Sequence, residues 1–394
     1  MSLSPRLASI DVFRAITMLL MIFVNDLWSV KNVPGWMEHT AAKADGMGLA
    51  DTVFPAFLFI VGLSIPFAIQ SRLSKGETTY KSLIYILIRS LALLVMGVFH
   101  VNLDDYDQSL FLPKPIWQLL ITVGFFLVWL DYPATMKKTK KTVLQVTGIV
   151  LLVLMASLYK SHQGDQLVGM RTQWWGILGL IGWSYLLAAV IYLLVKDNIG
   201  WLIFSLTILM LFNIAVHAHW LTFLNPVKSV VWIAGDGALP FLTMAGVTAS
   251  VIYRRFIHHG RLQQYTYTMV LIGGVMVLFG FALRPIGGIS KIRATPSWAV
   301  ICSGLSILVF VLLIYIVDIK KKPAWFTTIR PAGTSTLTCY LLPYIHYAVL
   351  TMVGISLPLF LRTGVTGIIK SLVYALVIIL AAGLLEKHRI RLRI

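Results

Sequence analysis

Long apolar segments follow one another along almost the whole chain, and they leave it few ways to fold. About twelve segments are present, centred near Met18, Phe59, Leu93, Phe125, Leu152, Leu187, Leu209, Met244, Val275, Leu308, Leu342 and Val377. A helix needs roughly 20 mostly apolar residues to cross the hydrocarbon of a bilayer. Because 58% of the 394 residues are hydrophobic and only 12% are charged, a water-soluble globule is excluded. The sequence predicts an all-α, polytopic membrane bundle of about twelve helices, with residues 1–394 as a single transmembrane domain.

The distribution of basic residues predicts the orientation of the bundle. Lysine and arginine cluster in the loops that follow even-numbered segments: Arg72, Lys75 and Lys81; Lys137, Lys138, Lys140 and Lys141; Arg254, Arg255 and Arg261; Lys320, Lys321, Lys322 and Arg330; and the tail from Lys387 to Arg393. By the positive-inside rule these loops are cytoplasmic, so both termini are expected there. The net charge of +18 then indicates topology, and no nucleic-acid partner is predicted.

Two further features limit the class of protein. Met1 to Arg6 contains no cleavable-looking signal, because the apolar run that follows continues for a full span. Cys302 and Cys339 both lie inside predicted spans, far apart in sequence, so neither a disulfide framework nor a zinc site is predicted.

A histidine, an amide and a carboxylate are expected to meet at the outer side of the membrane. His39 lies in the first outward-facing loop, Asn25 ends the first helix on that side, and Asp51 begins the second. An imidazole titrates near neutral pH and can take a proton from an attacking amine or hydroxyl. We expect Asp51 to orient the ring and Asn25 to hold either a carbonyl oxygen or the acceptor. The alternative is that Asp51 only caps its helix and His39 lies on a wet loop.

Other polar residues lie at the ends of helices. Asp11 and Arg14 share one helical face, either as a structural ion pair or with Arg14 on a phosphate of a cytosolic cofactor. Asp236 precedes the eighth predicted helix, and Lys291 and Ser297 flank the start of the tenth, where helix N-termini favour anions or carbonyl oxygens, although capping explains both places as well.

The same segments resemble a known family. Asp11-Val-Phe-Arg14, Ile22-Phe-Val-Asn25, His39 and the run Ala50 to Gly62 resemble the opening of the heparan-α-glucosaminide N-acetyltransferases and their bacterial relatives. Later segments follow the family's order: Gly235 to Pro240, Lys291 with Trp298, Asp318 with Trp325, and Gly333 to Tyr340. Thr40 to Lys43 lacks the aromatic residue that usually follows the histidine, and the hairpin from Pro115 to Tyr159 looks additional.

The resemblance implies a transmembrane acetyltransferase that uses acetyl-CoA from the cytosol and a carbohydrate acceptor, an amino sugar, on the other side. It implies catalytic roles for His39, Asn25 and Asp51. Arg14, Asp11, Lys291 and Ser297 are predicted at the donor, and Trp36 and Asp236 at the sugar, with no metal. The corresponding expectation is a multi-pass, homodimeric protein of a bacterial inner membrane, in contact with lipid.

Two alternatives remain at this point. An O-acetyltransferase of envelope polysaccharide shares the donor and differs only in the nucleophile. A secondary transporter is also compatible with about twelve spans and cytoplasmic termini. The ionisable residues lie chiefly at the outer helix ends and few are expected at mid-depth, a pattern that favours a transferase.

Overall fold

A computed structural model describes residues 8–107, 109–164, 166–228, 234–322 and 324–394. The α-helices are α1 (Ala8–Asp26), α2 (Ala50–Leu73), α3 (Thr79–Val101), α4 (Lys114–Trp129), α5 (Lys138–Leu158), α6 (Ile177–Val195), α7 (Ile199–His217), α8 (Asn225–Lys228), α9 (Ala238–His258), α10 (Leu262–Ala282), α11 (Pro296–Leu313), α12 (Arg330–Thr334), α13 (Thr336–Val353) and α14 (Gly364–Lys387). Short 3-10 turns cover Leu27–Ser29, Thr222–Leu224, Ala324–Ile329 and Leu359–Arg362, and a π turn covers Ile314–Ile319. The segment Met1 to Arg6, where no cleavable signal was predicted, lies outside the described residues.

The predicted class, a polytopic helical membrane bundle, is confirmed. Every predicted segment centre lies inside one of the helices above. Within the described ranges, 10 helices are long and apolar enough to cross a membrane, by length and composition. The number of twelve crossings, the cytoplasmic position of the termini and the single-domain assignment stay predictions.

One small sheet was not predicted from the sequence. Strand β1 (Ser161–Gln163) pairs antiparallel with β2 (Gln166–Val168), with Ser161 opposite Val168. Each strand has only 3 residues, too few to show an alternation of apolar and polar residues that could be recognised.

The chain divides into two compact units, each made from separated stretches of sequence. The first contains residues 8–17, 33–91 and 181–327 among those described. The second contains Met18–Asn32, Ala92–Leu180 and Thr328–Ile394.

In the first unit, α2 and α9 are packed with their backbones in close approach. A Cβ atom on Gly62 would overlap the carbonyl group of Thr243, and one on Gly246 would overlap that of Phe59. Small residues at such crossings let membrane helices pack tightly. The approach fixes α2, which carries Asp51 in its first turn.

In the second unit, α4 and α5 form an antiparallel hairpin over the region predicted from Pro115 to Tyr159. The indole Nε1 of Trp117 donates to the carbonyl oxygen of Met155 at 2.9 Å. Near the other end, the Gln145 amide donates to the carbonyl of Val128 at 3.0 Å. These two bonds tie the helices together at both ends.

Candidate active site

His39 and Asp51 are in direct contact in the first unit, as the sequence predicted. Nδ1 of His39 lies 2.7 Å from Oδ1 of Asp51. The other carboxylate oxygen, Oδ2, accepts from the backbone N–H groups of Thr40 and Gly48, at 3.0 Å each. The Asp51 side chain is fully buried, and a buried charge is tolerated only when it is paired and hydrogen-bonded. The loop therefore folds around this carboxylate.

This contact decides which nitrogen of the imidazole is available for chemistry. A carboxylate accepts hydrogen bonds, so Nδ1 of His39 donates and carries the proton. The neutral ring then has its lone pair on Nε2. The His39 side chain is 45% exposed, so a base with a fixed tautomer is open to an incoming group.

The loop needs a glycine at position 48. A Cβ atom there would overlap the carbonyl oxygen of Glu38. The next residue, Leu49, donates its N–H to the carbonyl of Trp36 at 2.7 Å. Together with the bond from Gly48 to Asp51, which resembles the returning half of a capping box, these contacts close the loop onto the start of α2.

Trp36 and Trp298 flank this region in different ways. Trp36, which was predicted at the sugar, is 66% exposed. Trp298 is 1% exposed, and its Nε1 donates to the backbone oxygen of Asp51 at 3.1 Å. Because an indole N–H needs a partner when it is buried, Trp298 fixes the backbone that presents the carboxylate.

Lys291 lies beside His39. Its Nζ is 3.2 Å from His39 Nδ1, the nitrogen that also faces Asp51. Burial lowers the pKa of Lys291, and the nearby Asp51 charge opposes that shift. The sequence predicted Lys291 at the donor, whereas in the structure its amine lies next to His39 and is influenced by the Asp51 charge.

Asp45 joins the two loops that carry His39 and Lys291. Its Oδ1 accepts from the N–H of Ile289 at 2.7 Å and its Oδ2 from Nε of Arg284 at 2.8 Å. Gly46 also donates its N–H to the carbonyl of Ile289 at 2.9 Å. The Ile289 N–H and the Arg284 guanidinium both lower the pKa of the Asp45 carboxyl group.

Helix α7 holds the same Lys291 loop from its other side. The Asn213 amide donates to the backbone oxygen of Asp236 at 2.6 Å and of Ala294 at 3.0 Å. His217 approaches the carbonyl of Arg293 through Nε2 at 2.9 Å. Asp236, predicted at the sugar, is thus joined through its backbone to the loop of Lys291.

The remaining residues predicted at the donor lie in two other places in the first unit. Arg14 donates from Nη1 to Asp11 at 3.1 Å and from Nη2 to the hydroxyl of Ser64 at 2.6 Å. The predicted pairing on one helical face is therefore present. Ser297 is fully buried, and its hydroxyl donates to the carbonyl of Gly280 at 2.6 Å, a bond between α10 and α11.

Asn25 lies in the last turn of α1, in the second unit, next to a buried ion pair. Nζ of Lys370 is 2.5 Å from Oδ2 of Asp26 and donates to the Ser29 hydroxyl at 2.9 Å. The hydroxyl of Tyr347 donates to the other carboxylate oxygen of Asp26. The sequence did not single out these residues. The polar character of Asp26 and Lys370 within apolar helices was the available signal.

Among the described residues, no group of three or more histidine, cysteine, aspartate or glutamate side chains is arranged to hold an ion. Lys291, Asp45 and Arg284 complete the polar cluster around the His39–Asp51 pair.

Comparison with known proteins gives matches to part of the chain. Residues 6–225 match a family described as a domain of unknown function (DUF5009). A segment of 105 residues is 38% identical to heparan-alpha-glucosaminide N-acetyltransferase of Homo sapiens and covers 26% of this chain and 14% of that protein. The Mus musculus protein of the same name is 37% identical over 105 residues, which are 26% of this chain and 15% of that protein. The aligned part thus spans about one seventh of these relatives.

Proposed function

This chain belongs to the DUF5009 family, and from that starting point we propose that it is a transmembrane acetyltransferase. It takes an acetyl group from cytosolic acetyl-CoA and transfers it to an amino sugar or related carbohydrate on the outer side of the membrane. The partial similarity to two heparan-alpha-glucosaminide N-acetyltransferases supports the reaction class.

One observation supports the catalytic assignment most strongly. His39 Nδ1 lies 2.7 Å from Asp51, a carboxylate that is buried and held by two backbone N–H groups. A histidine on a wet loop does not need such a partner. The arrangement is the one that a general base requires: an orienting carboxylate on one nitrogen and a free lone pair on the other.

The reaction follows from that geometry. Nε2 of His39 removes a proton from the acceptor amine as the nitrogen attacks the thioester carbonyl. The C–N bond forms, the C–S bond breaks, and the imidazolium returns a proton to the departing thiolate. Asp51 stabilises the imidazolium that forms, because its negative charge is 2.7 Å from Nδ1. Asn25 is proposed to donate to the oxyanion.

The membrane explains why the donor stays on the cytosolic side. The phosphates of coenzyme A are charged, and a charge at the bilayer centre costs at least about 3 kcal/mol. An acetyl group carries no charge. Only the thioester end therefore needs to approach His39. Arg14, in the N-terminal half of α1, is proposed to contact the phosphate end of the donor.

Purified protein, acetyl-CoA and glucosamine test the proposal. We expect His39→Asn to lower the transfer rate by about 100-fold or more, because general-base catalysis contributes roughly 10²–10⁴-fold. His219→Asn is the matched control. His219 is exposed and has φ 62°, a conformation that asparagine also adopts, so this variant should retain full activity. Near-normal turnover of His39→Asn would remove His39 from the reaction.

Product analysis separates the alternatives that share this donor. Transfer to glucosamine but not to a sugar with hydroxyl groups only identifies an N-acetyltransferase, and the reverse identifies an O-acetyltransferase. A burst of free coenzyme A without acceptor would favour an acetyl-histidine intermediate over direct attack. A transporter would accumulate solute in vesicles and consume no thioester.

A further inference from the structure

The primary amine of Lys291 is held next to the proposed base, where the reaction above gives it no part. Its Nζ lies 3.2 Å from Nδ1 of His39. The backbone around it is tied down: the Ala294 N–H donates to the Lys291 carbonyl at 3.0 Å, and Gly46 donates to Ile289 at 2.9 Å. The amine is therefore delivered to this place by the fold and is not on a freely moving loop.

The surroundings also shift the Lys291 side chain toward the neutral amine, which is its reactive form. An ammonium is not a nucleophile, whereas a neutral amine is. Burial lowers the pKa of Lys291, which increases the fraction of neutral amine near neutral pH. The neighbouring imidazole of His39 can take up, on Nε2, the proton that an attacking amine releases.

We propose that Lys291 is a self-acetylation site that competes with the sugar for the acetyl group. The inference rests on the proposed function, because it requires an acetyl thioester at His39. A C–N bond forms between Nζ and the acetyl carbonyl carbon, and the C–S bond breaks. The amine loses one proton to Nε2 of His39, the ring nitrogen with the lone pair, and the imidazolium then gives one proton to the coenzyme A thiolate. The products are an N-acetyl-lysine and free thiol, with no oxidant or reductant.

The modification would alter the site chemically. An amide cannot take up a proton near neutral pH, so the cluster keeps the negative charge of Asp51 and Lys291 can no longer carry a positive charge. An amide is also stable, unlike an acetyl-imidazole, so the product persists. Lys291 would then act as an acceptor that turns the protein off when donor is present and sugar is absent.

Lys43 provides an internal control in the same chain. It is on the loop that carries His39 and is exposed, so it reports direct chemical acetylation by acetyl-CoA in solution. Its exchange for arginine should leave sugar transfer unchanged. The ratio of acetylation at Lys291 to that at Lys43 therefore measures the effect of the site itself.

The experiment incubates the full-length protein in detergent with labelled acetyl-CoA and without sugar, and locates the label by peptide mass spectrometry. Neutral hydroxylamine removes any acetyl-imidazole before analysis and leaves acetyl-lysine. We expect label at Lys291, its loss in Lys291→Arg, and a fall of about 100-fold at Lys291 in His39→Asn with Lys43 labelling unchanged. Binding of acetyl-CoA to each variant is measured in parallel, so that lost donor binding is recognised.

Two results would overturn the inference. Equal labelling of Lys291 and Lys43 would show solution chemistry, and an unlabelled Lys291 would show that the amine does not react. Sugar transfer by the same preparation distinguishes failure of the self-acetylation site from failure of the proposed function. If glucosamine is acetylated while Lys291 stays unlabelled, the self-acetylation site fails and the proposed function stands. If neither is acetylated, both fail.

Discussion

The buried ion pair between Asp26 and Lys370 is expected to make a large contribution to the stability of the protein. The two side chains are only 4% and 15% exposed, and Nζ is 2.5 Å from Oδ2. The Ser29 and Tyr347 hydroxyls complete the hydrogen bonding. Lys370→Met removes the positive charge and keeps the aliphatic stem. It leaves the Asp26 carboxylate buried with one hydroxyl partner from Tyr347.

The size of the expected change in the free energy of unfolding follows from that burial. Removing one partner of a buried ion pair costs about 3–5 kcal/mol, whereas removing both charges is far less harmful. Lys370→Met should therefore destabilise the protein by about 3 kcal/mol or more. Adding Asp26→Asn should restore at least about 2 kcal/mol of that loss, because no unpaired charge remains.

Reversible unfolding in mixed micelles measures these differences. The control is Lys387→Met, the same substitution in the same helix at an exposed position, which should change stability by less than about 0.5 kcal/mol. The reasoning would be refuted if Lys370→Met were as stable as this control. It would also be refuted if the double variant were less stable than Lys370→Met. Because Asn25 is adjacent to Asp26, the same variants should lower transfer activity through a lower kcat.

Three further predictions concern the loops around His39. Gly48→Ala, whose Cβ would overlap the Glu38 carbonyl, should lower activity at least about tenfold through displacement of the catalytic loop, with far-UV circular dichroism unchanged. Trp298→Phe keeps an aromatic ring, but it loses part of the buried indole and the bond to the Asp51 carbonyl, so thermal unfolding should show a loss of at least about 1 kcal/mol. The pKa of Asp45 is lowered by Ile289 and Arg284, so its stabilising effect is present above the unfolded value of about 3.9 and is lost as pH falls through the folded value. Melting temperatures of Asp45→Asn and wild type should thus differ at pH 7 and converge below about pH 4; a constant difference would contradict this.

The helices could be predicted from the sequence because the hydrophobic signal of each is local. Every predicted centre lies in a helix, since about 20 consecutive apolar residues leave the backbone few other ways to satisfy its hydrogen bonds in a bilayer. The contact between His39 and Asp51 was also predictable, because it joins residues 12 apart at one end of one loop.

The rest of the cluster could not be predicted, because its contacts are remote in sequence. Lys291 and His39 are 252 residues apart, and Arg284 and Asp45 are 239 apart. Which loops meet is decided by helix packing, including the close approach of α2 and α9 at Gly62 and Gly246. No pattern within either loop encodes that packing.

Acetyl transfer across a sealed membrane can be measured with reconstituted protein. Proteoliposomes would contain labelled acetyl-CoA inside only, with glucosamine supplied outside only, and the label in external N-acetylglucosamine would be measured for wild type, His39→Asn and His219→Asn. We expect external product from wild type and His219→Asn, with coenzyme A retained inside. In His39→Asn, the amount of external product should fall by about 100-fold or more. External product at the wild-type rate from His39→Asn, or product only after acetyl-CoA leaks out, would contradict the proposed function.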